Sequence, residues 1–249
     1  MIITPIKTRA FIPPKDDLFS LIKEGFSGKK IKENSIFVVT SKVVAIWQGR
    51  CIKIGSIDKE ALIKKEADLY LDRKENPNRY NVTLTIKNNI LILTAGIDES
   101  NSNGYYTLWP SDPFESANKI YEFIKSMYGL KNLGVIITDS HTTPLRWGVT
   151  GIALSHYGFN PLKDYRGLND IFGREMKISQ SNIADSIASA SVLVMGEGNE
   201  QTPLAIVEDV NFVEFVDQDL QKTNPLEIDK ETDLYSSLIN SVNWKRGGN

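Results

Sequence analysis

The sequence predicts an α+β chain in which mixed sheets pack against helices, and three observations carry that expectation. Residues 36–40 and 133–138 are apolar, β-branched runs with the composition of buried strands. Val82, Leu84 and Ile86 alternate before the turn Lys87-Asn88-Asn89 and a second run at 90–94, the pattern of a hairpin. Ala117, Ile120, Ile124 and Met127 recur at helical spacing within 114–127.

The elements follow in order. Pro13-Pro14 halts the chain, and Asp16 and Asp17 then precede Leu18, Leu21 and Ile22, the spacing of a helix start. After the strand at 36–40, residues 43–47 either continue it or form the next element, and Gly49 turns the chain. Residues 60–71 predict an amphipathic helix with Lys64, Lys65 and Asp68 outward, broken at Asn76-Pro77-Asn78. At 95–101 a strand ends in glycine, carboxylate, hydroxyl and amide, the polar groups a sheet edge presents to a crevice. Residues 105–113 read as an aromatic, proline-rich loop.

The strand at 133–138 ends in Asp139, followed by a loop at 140–147 and a glycine-containing segment at 148–157. Residues 159–174 read as a loop holding Arg166, Asp170 and Arg174. A small-residue helix at 182–195 is stopped by Gly196, and 204–207 is a further strand. From Asp217 the chain is polar, with a last helix expected at 231–240. We therefore expect one unit over 1–215, with no internal boundary marked by composition, and a C-terminal tail over 216–249.

Composition excludes several function classes. The 249 residues carry 29 basic and 31 acidic side chains, a net charge of −2, which steers the whole molecule toward neither nucleic acid nor an anionic membrane. Cys51 has no partner for a disulfide or a thiolate-rich zinc site, and only His141 and His156 offer imidazole. The N-terminus lacks a signal-peptide pattern, no apolar run reaches membrane-spanning length, and a cytoplasmic location is expected. GxxxxGK[ST] is absent, as is GxGxxG after a strand, so neither the P-loop nor the dinucleotide fold is supported. Gly196-Glu197-Gly198 follows a helix, where glycine reads first as a stop.

The most informative pair is Asp98 and Asp139. Each follows an apolar strand, so a shared sheet would bring both carboxylates to strand ends. Two adjacent carboxylates in a partly dry crevice repel and call for a cation. Oxygen ligands without thiolate or imidazole suit Mg²⁺ or Mn²⁺, the ions that accompany nucleotide phosphates. The alternative is that each aspartate caps the segment after it. Arg146, Arg166 and Arg174 suit phosphate or carboxylate, or form structural salt bridges. Ser140 beside His141 does not make a nucleophile–base pair without a nucleophile elbow. His156 reads as a core or edge residue. Trp47, Trp109 and Trp147 read as packing, with ligand stacking an alternative for the last two.

At these residues the sequence resembles a known family, the coenzyme F420:L-glutamate ligases, also called F420-0:gamma-glutamyl ligases. Ala95-Gly96-Ile97-Asp98-Glu99-Ser100-Asn101 is similar to the family's AGID-x-SN, and Ile136-Ile137-Thr138-Asp139-Ser140 to a second motif. Arg146-Trp147-Gly148, the run from Arg166 to Glu175, Ala184 to Ala188 and Met195 to Gly198 follow in the family's order, and the likeness spans roughly residues 16–210. The resemblance implies a GTP-dependent ligase, ATP remaining open. A substrate carboxylate becomes an acyl phosphate, the amine of L-glutamate attacks it, and GDP and phosphate leave. It further implies Mg²⁺ or Mn²⁺, in some members K⁺, an intertwined homodimer, and small-molecule partners only.

Carried over residue by residue, the resemblance makes Asp98, Asp139, Ser140 and Glu197 metal ligands, with Asp98, Asp139 and Arg146 catalytic. Ile12, Ser41, Lys42, Asn101, Met195, Gly196, Glu197, Gly198 and Asn199 would line the nucleotide. The chain departs from the family where S-K-A-E-G-R becomes Ala45-Ile46-Trp47-Gln48-Gly49-Arg50, which removes a lysine at Ile46 and an acid at Gln48. Lys42 is the candidate replacement for that lysine. Thr8-Arg9-Ala10-Phe11-Ile12 keeps only the apolar end of the family's G-L-P-L-I loop, and Ser140-His141-Thr142-Thr143 lacks the glycine and arginine of T-x-G-R. These changes leave two further expectations open: a ligase acting on another acid, or a binding protein without turnover.

Overall fold

The computed structural model describes residues 1–216 and 224–248, so the expected start of the polar tail at Asp217 lies outside the described residues. In chain order the first elements are β1 (Ile2–Ile6), α1 (Leu18–Gly25), β2 (Ser35–Thr40), α2 (Ser41–Gln48), β3 (Cys51–Lys53), α3 (Lys59–Glu66) and β4 (Leu69–Tyr70). Then come β5 (Leu84–Lys87), β6 (Ile90–Leu93), β7 (Tyr105–Thr107), α4 (Pro113–Tyr128), β8 (Leu133–Thr142) and β9 (Val149–Tyr157). The last are β10 (Leu162–Asp164), β11 (Gln180–Asn182), α5 (Ile183–Met195), β12 (Leu204–Glu208), α6 (Ser236–Ile239) and β13 (Lys245–Arg246).

A five-stranded sheet of order β1-β12-β2-β8-β9 forms the main body. Its central strands β2 and β8 run parallel, and its other neighbours are antiparallel. Both faces of that pair are covered, which is why β2 is a continuous apolar run rather than an alternating one. Phe37, Val39, Val135 and Ile137 pack against Leu21 and Ile22 of α1, Val43 of α2 and Ile120 of α4. Ile36, Val38 and Ile136 meet Ala184, Ile187 and Ala188 of α5 on the opposite face. The small residues of α5 permit close approach to β9: a Cβ on Gly151 would collide with the Ala188 carbonyl.

A smaller sheet of order β13-β4-β5-β6 and the pair β3-β7 build the second wall. Its cluster holds Leu62, Ile63, Ala95, Ile97, Tyr106 and Leu108. Ile92, Trp109 and Leu154 join it to the main sheet.

Several expectations change. Residues 43–47 belong to a helix, despite Val43, Val44 and Ile46, because their burial outweighs modest β propensity and Gly49 closes the helix in a left-handed conformation (φ 73°). The helix expected over 60–71 stops at Glu66, since Leu69 and Tyr70 are drawn into strand pairing with β5. The expected hairpin forms, with Asn88 and Asn89 both left-handed (φ 49° and 60°). Its polar face is the more deeply buried one: Thr83, Thr85 and Lys87 turn inward.

Strand β8 extends through Asp139 to Thr142, residues 149–157 form its antiparallel partner, and residues 105–107 and 162–164 also pair as strands. The final helix shrinks from 231–240 to Ser236–Ile239. The edge strand β1, which no sequence signal marked, pairs with β12.

Candidate functional site

A cleft of about 650 Å³ opens where the smaller sheet meets the carboxyl ends of the parallel strands β2 and β8, the usual place for a crevice in such sheets. Its two walls are built differently. On the main-sheet side, α2 begins directly after β2 at the cleft. Thr40 makes no side-chain cap, so first-turn N–H groups beside Ser41 and Lys42 remain available to an anion.

Asp139 lies within β8, opposite Ile152, after an irregularity between Ile137 and Thr138. It therefore does not stand beyond a strand end as expected. It keeps part of its surface open to the cleft and is otherwise surrounded by protein. Burial, reinforced by the nearby Asp98 charge, pushes its carboxyl up to about 6 against the Ser140 N–H, the Trp109 indole and Lys42. Trp109 Nε1 donates to Asp139 Oδ2.

Asp98 comes from the other wall, so the two aspartates do not share a sheet. The turn Thr94–Gly96 after β6 runs through three left-handed residues (φ 56°, 53° and 71°) and aims the chain at the cleft. Burial raises the Asp98 carboxyl, but Lys42 and Ser100 outweigh it and hold it below its ordinary value. Lys42 Nζ lies 2.7 Å from Asp98 Oδ2 and also donates to the Ser100 carbonyl at 2.7 Å. Ser100 contributes its N–H at 2.8 Å and its hydroxyl at 2.9 Å.

The segment after α5 closes the rim. Ser140 Oγ donates to Glu197 Oε1 at 2.5 Å, and Asn101 Nδ2 donates to the Gly198 carbonyl at 2.8 Å, tying the walls together. Ser41, Met195, Gly196 and Asn199 line the same cleft, as do Arg9 and Phe11. Ile12, expected at the nucleotide, does not line it: its side chain is half-exposed, and its N–H donates to Asp16 at 2.9 Å. Lys42 belongs to α2, one turn before Ile46, rather than to a strand. Ile46 is a buried part of the cleft wall, whereas Gln48 braces Ser116 and Ser111 at 2.8 and 2.9 Å.

Arg146 is not brought to the cleft: it lies in the exposed turn between β8 and β9. Arg166 pairs with Asp164 at 2.6 Å. Sequence reasoning missed Ser100 and the contact made by Trp109. The signal for the second was available in part, since Gly96 precedes Asp98 by two residues and its missing side chain is what admits the indole.

The donor set suits a hard divalent cation: Asp98, Asp139, Ser140 and Glu197 offer only oxygen, and a cationic ammonium already sits on Asp98. Among the described residues no three His, Cys, Asp or Glu side chains gather closely enough to form a ready cage. Such an ion would therefore complete its shell with hydroxyl, phosphate or water oxygens, as Mg²⁺ commonly does. Among the described residues no helix is long and apolar enough to cross a membrane.

A family model described as F420-0:Gamma-glutamyl ligase matches residues 6–209. A coenzyme F420:L-glutamate ligase of Archaeoglobus fulgidus is 33% identical over 220 residues, covering 83% of this chain and 87% of that protein. One from Methanopyrus kandleri is 32% identical over 218 residues, with 82% and 85% covered. A third, from Methanococcus maripaludis, is 40% identical over 121 residues, 49% of this chain and 48% of its own.

Proposed function

The chain belongs to the F420-0:gamma-glutamyl ligase family and is a ligase resembling coenzyme F420:L-glutamate ligase, and on that premise we propose how its cleft works. The acid substrate is coenzyme F420-0, the amine is L-glutamate, and GTP activates the carboxylate. A carboxylate oxygen attacks the terminal phosphorus and GDP leaves. The glutamate nitrogen then attacks the carbonyl carbon, the C–N bond forms, the C–O bond to phosphate breaks, and the amine's proton passes to solvent.

The first turn of α2 and Lys42 bind phosphate oxygens through N–H groups and a mobile ammonium. Asp98, Asp139, Ser140 and Glu197 hold the divalent cation, which supplies charge neutralisation on the triphosphate when bound. The rim from Met195 to Asn199, with Asn101, fits over the nucleotide. Most of the work is positioning and electrostatics in a partly dry cleft. The single observation that carries the reading is the pair Asp98 and Asp139, facing one cleft beside an uncapped helix N-terminus.

We take residues 1–215 as the ligase unit and two chains as the working molecule. Leu145, Trp147, Ile171, Phe172, Ile178 and Leu193 are each more than four-fifths exposed, an apolar surface that a second copy would cover. Arg146, outside its own protomer's cleft, would serve across that interface. Sedimentation velocity tests the pairing; a monomer at micromolar concentration would remove both the dimer and the role of Arg146.

Ile46, apolar where the resemblance expects lysine, favours a second reading in which the activated acid differs from coenzyme F420-0. Incubation with GTP, Mn²⁺, L-glutamate and coenzyme F420-0, read by mass spectrometry, separates the two. Glutamyl addition with matching GDP release is the expected result. Nucleotide binding without addition would move the substrate elsewhere, and absence of both would overturn the ligase mechanism.

A further inference from the structure

Trp109 heads the fully buried large side chains, and its one polar atom is spent on Asp139. What surrounds the ring is unusual. Gly96 is left-handed, and a Cβ there would overlap the indole nitrogen, so the turn that delivers Asp98 also leaves room for the tryptophan beside Asp139. Arg50 Nε donates to the Trp109 carbonyl at 3.2 Å, and the same guanidinium reaches Glu66 at 2.6 Å. Lys87, 6% exposed, shares that Glu66 oxygen at 2.7 Å and stands 6.0 Å from the indole centroid.

Two cations on one half-buried carboxylate are a poor source of stability, since desolvation offsets much of the attraction. A cluster of that kind is better suited to fixing geometry. Here it grips both ends of one residue: the backbone through Arg50 and the ring face through Lys87. The indole is also the right donor for the purpose. It has a single N–H, accepts nothing, stays neutral at any working pH, and cannot rotate without displacing Ile92 and Leu154. Metal-ligating carboxylates are generally oriented by hydrogen bonds of this kind from behind.

We propose that Trp109 is the positioning residue of the cleft: its indole N–H fixes the Asp139 carboxylate for a divalent cation, and Arg50, Glu66, Lys87 and the bare turn at Gly96 hold the ring in place. The inference rests on reading Asp139 as a cation ligand, as above. It adds a reason for the Lys87–Glu66 pair on β5 and α3, which does not line the cleft.

The test uses the full chain labelled with ¹⁵N at its four tryptophans, Trp47, Trp109, Trp147 and Trp244. Mg²⁺ should move the indole resonance that is missing in Trp109→Phe and leave that of Trp47 in place. Mn²⁺ affinity, read by water-proton relaxation, should fall about 10- to 100-fold in Trp109→Phe. Lys87→Met should displace the same resonance and lower the affinity by a smaller factor. If Trp109→Phe does not fold, the Mg²⁺ response of the wild type and the Lys87→Met result decide. Mn²⁺ binding to wild type and to folded Trp109→Phe with equal affinity would overturn the positioning role alone. A wild type that binds no Mn²⁺, with or without GTP, would overturn the cation reading of Asp139 and this inference with it.

Discussion

The two walls of the cleft handle charge in opposite ways. In the smaller wall the buried and half-buried charges are partnered: Asp98 with Lys42, which reaches across from α2, Lys87 and Arg50 with Glu66, Arg73 with Glu60 at 2.7 Å. In the main sheet two titratable groups are shifted chiefly by burial, with no ion pair among the described residues to offset it. Asp139 is pushed up to about 6, chiefly by burial. Burial drives His156 down to about 4, in a pocket between Phe114 and Phe159, where neither ring nitrogen finds a hydrogen-bond partner among the described residues. Asn224 tempers that shift without reaching hydrogen-bond geometry. Charges of the smaller wall are matched pair by pair, whereas the Asp139 carboxyl in the main sheet is only partly offset, an arrangement that a bound cation would complete.

The contrast breaks first at Asp139. Asp139→Asn should fold normally, because it removes an uncompensated carboxylate, yet lose about 10²-fold or more in ligase rate. Melting curves and steady-state rates measured side by side check it. A variant that loses fold and rate together would make Asp139 structural.

Acid titration sharpens the contrast next. Below pH 6.5 the unfolded chain protonates a histidine that the folded chain keeps neutral down to about 4, so His156 costs stability as pH falls across that window. Asp139 acts in the opposite sense: its folded carboxyl takes a proton near 6, before the unfolded one at 3.8, so acidification relieves its burial. Each effect is on the order of 3 kcal/mol at most, and in the chelated wild type they largely cancel. Urea unfolding of His156→Phe should therefore show stability rising from pH 6.5 to 4.5, and of Asp139→Asn falling. Parallel curves for both variants would contradict the opposed environments.

A packing change tests the main-sheet wall without touching charge. Gly151→Ala forces a Cβ onto the Ala188 carbonyl and should cost about 1–3 kcal/mol, a fall of several degrees in melting temperature. The smallest effect belongs to Gln48→Glu, which places at this position the acid that the resemblance expects. Ser116 can turn its hydroxyl toward either residue, so the change should stay below about 1 kcal/mol and leave GTP affinity unaltered, since Gln48 does not line the cleft.

How much of this was legible in the sequence follows from where information is local. The strands at 36–40 and 133–138 announce themselves because both faces are buried, and Asp17 caps α1 through the Phe19 N–H, as a short polar side chain before an apolar run should. Residues 43–47 were ambiguous because β-branched side chains buried in a helix look like strand until the partners are known. The inward turn of Thr83, Thr85 and Lys87 was invisible, since alternation names two faces and only tertiary contact says which is covered. Likewise the carboxylate pair could be named from motifs. That Asp98 and Asp139 arrive from different sheets, and that Trp109 stands behind one of them, depends on long-range packing that no spacing encodes.

The account's central claim is that the two walls form one cation and nucleotide site. Isothermal titration of GTP, with and without Mg²⁺, into wild type, Asp98→Asn and Asp139→Asn tests it most directly. Mg²⁺-dependent GTP binding in the wild type, weakened about tenfold or more by either single substitution, is the predicted result. GTP binding that ignores both Mg²⁺ and the two carboxylates would contradict it.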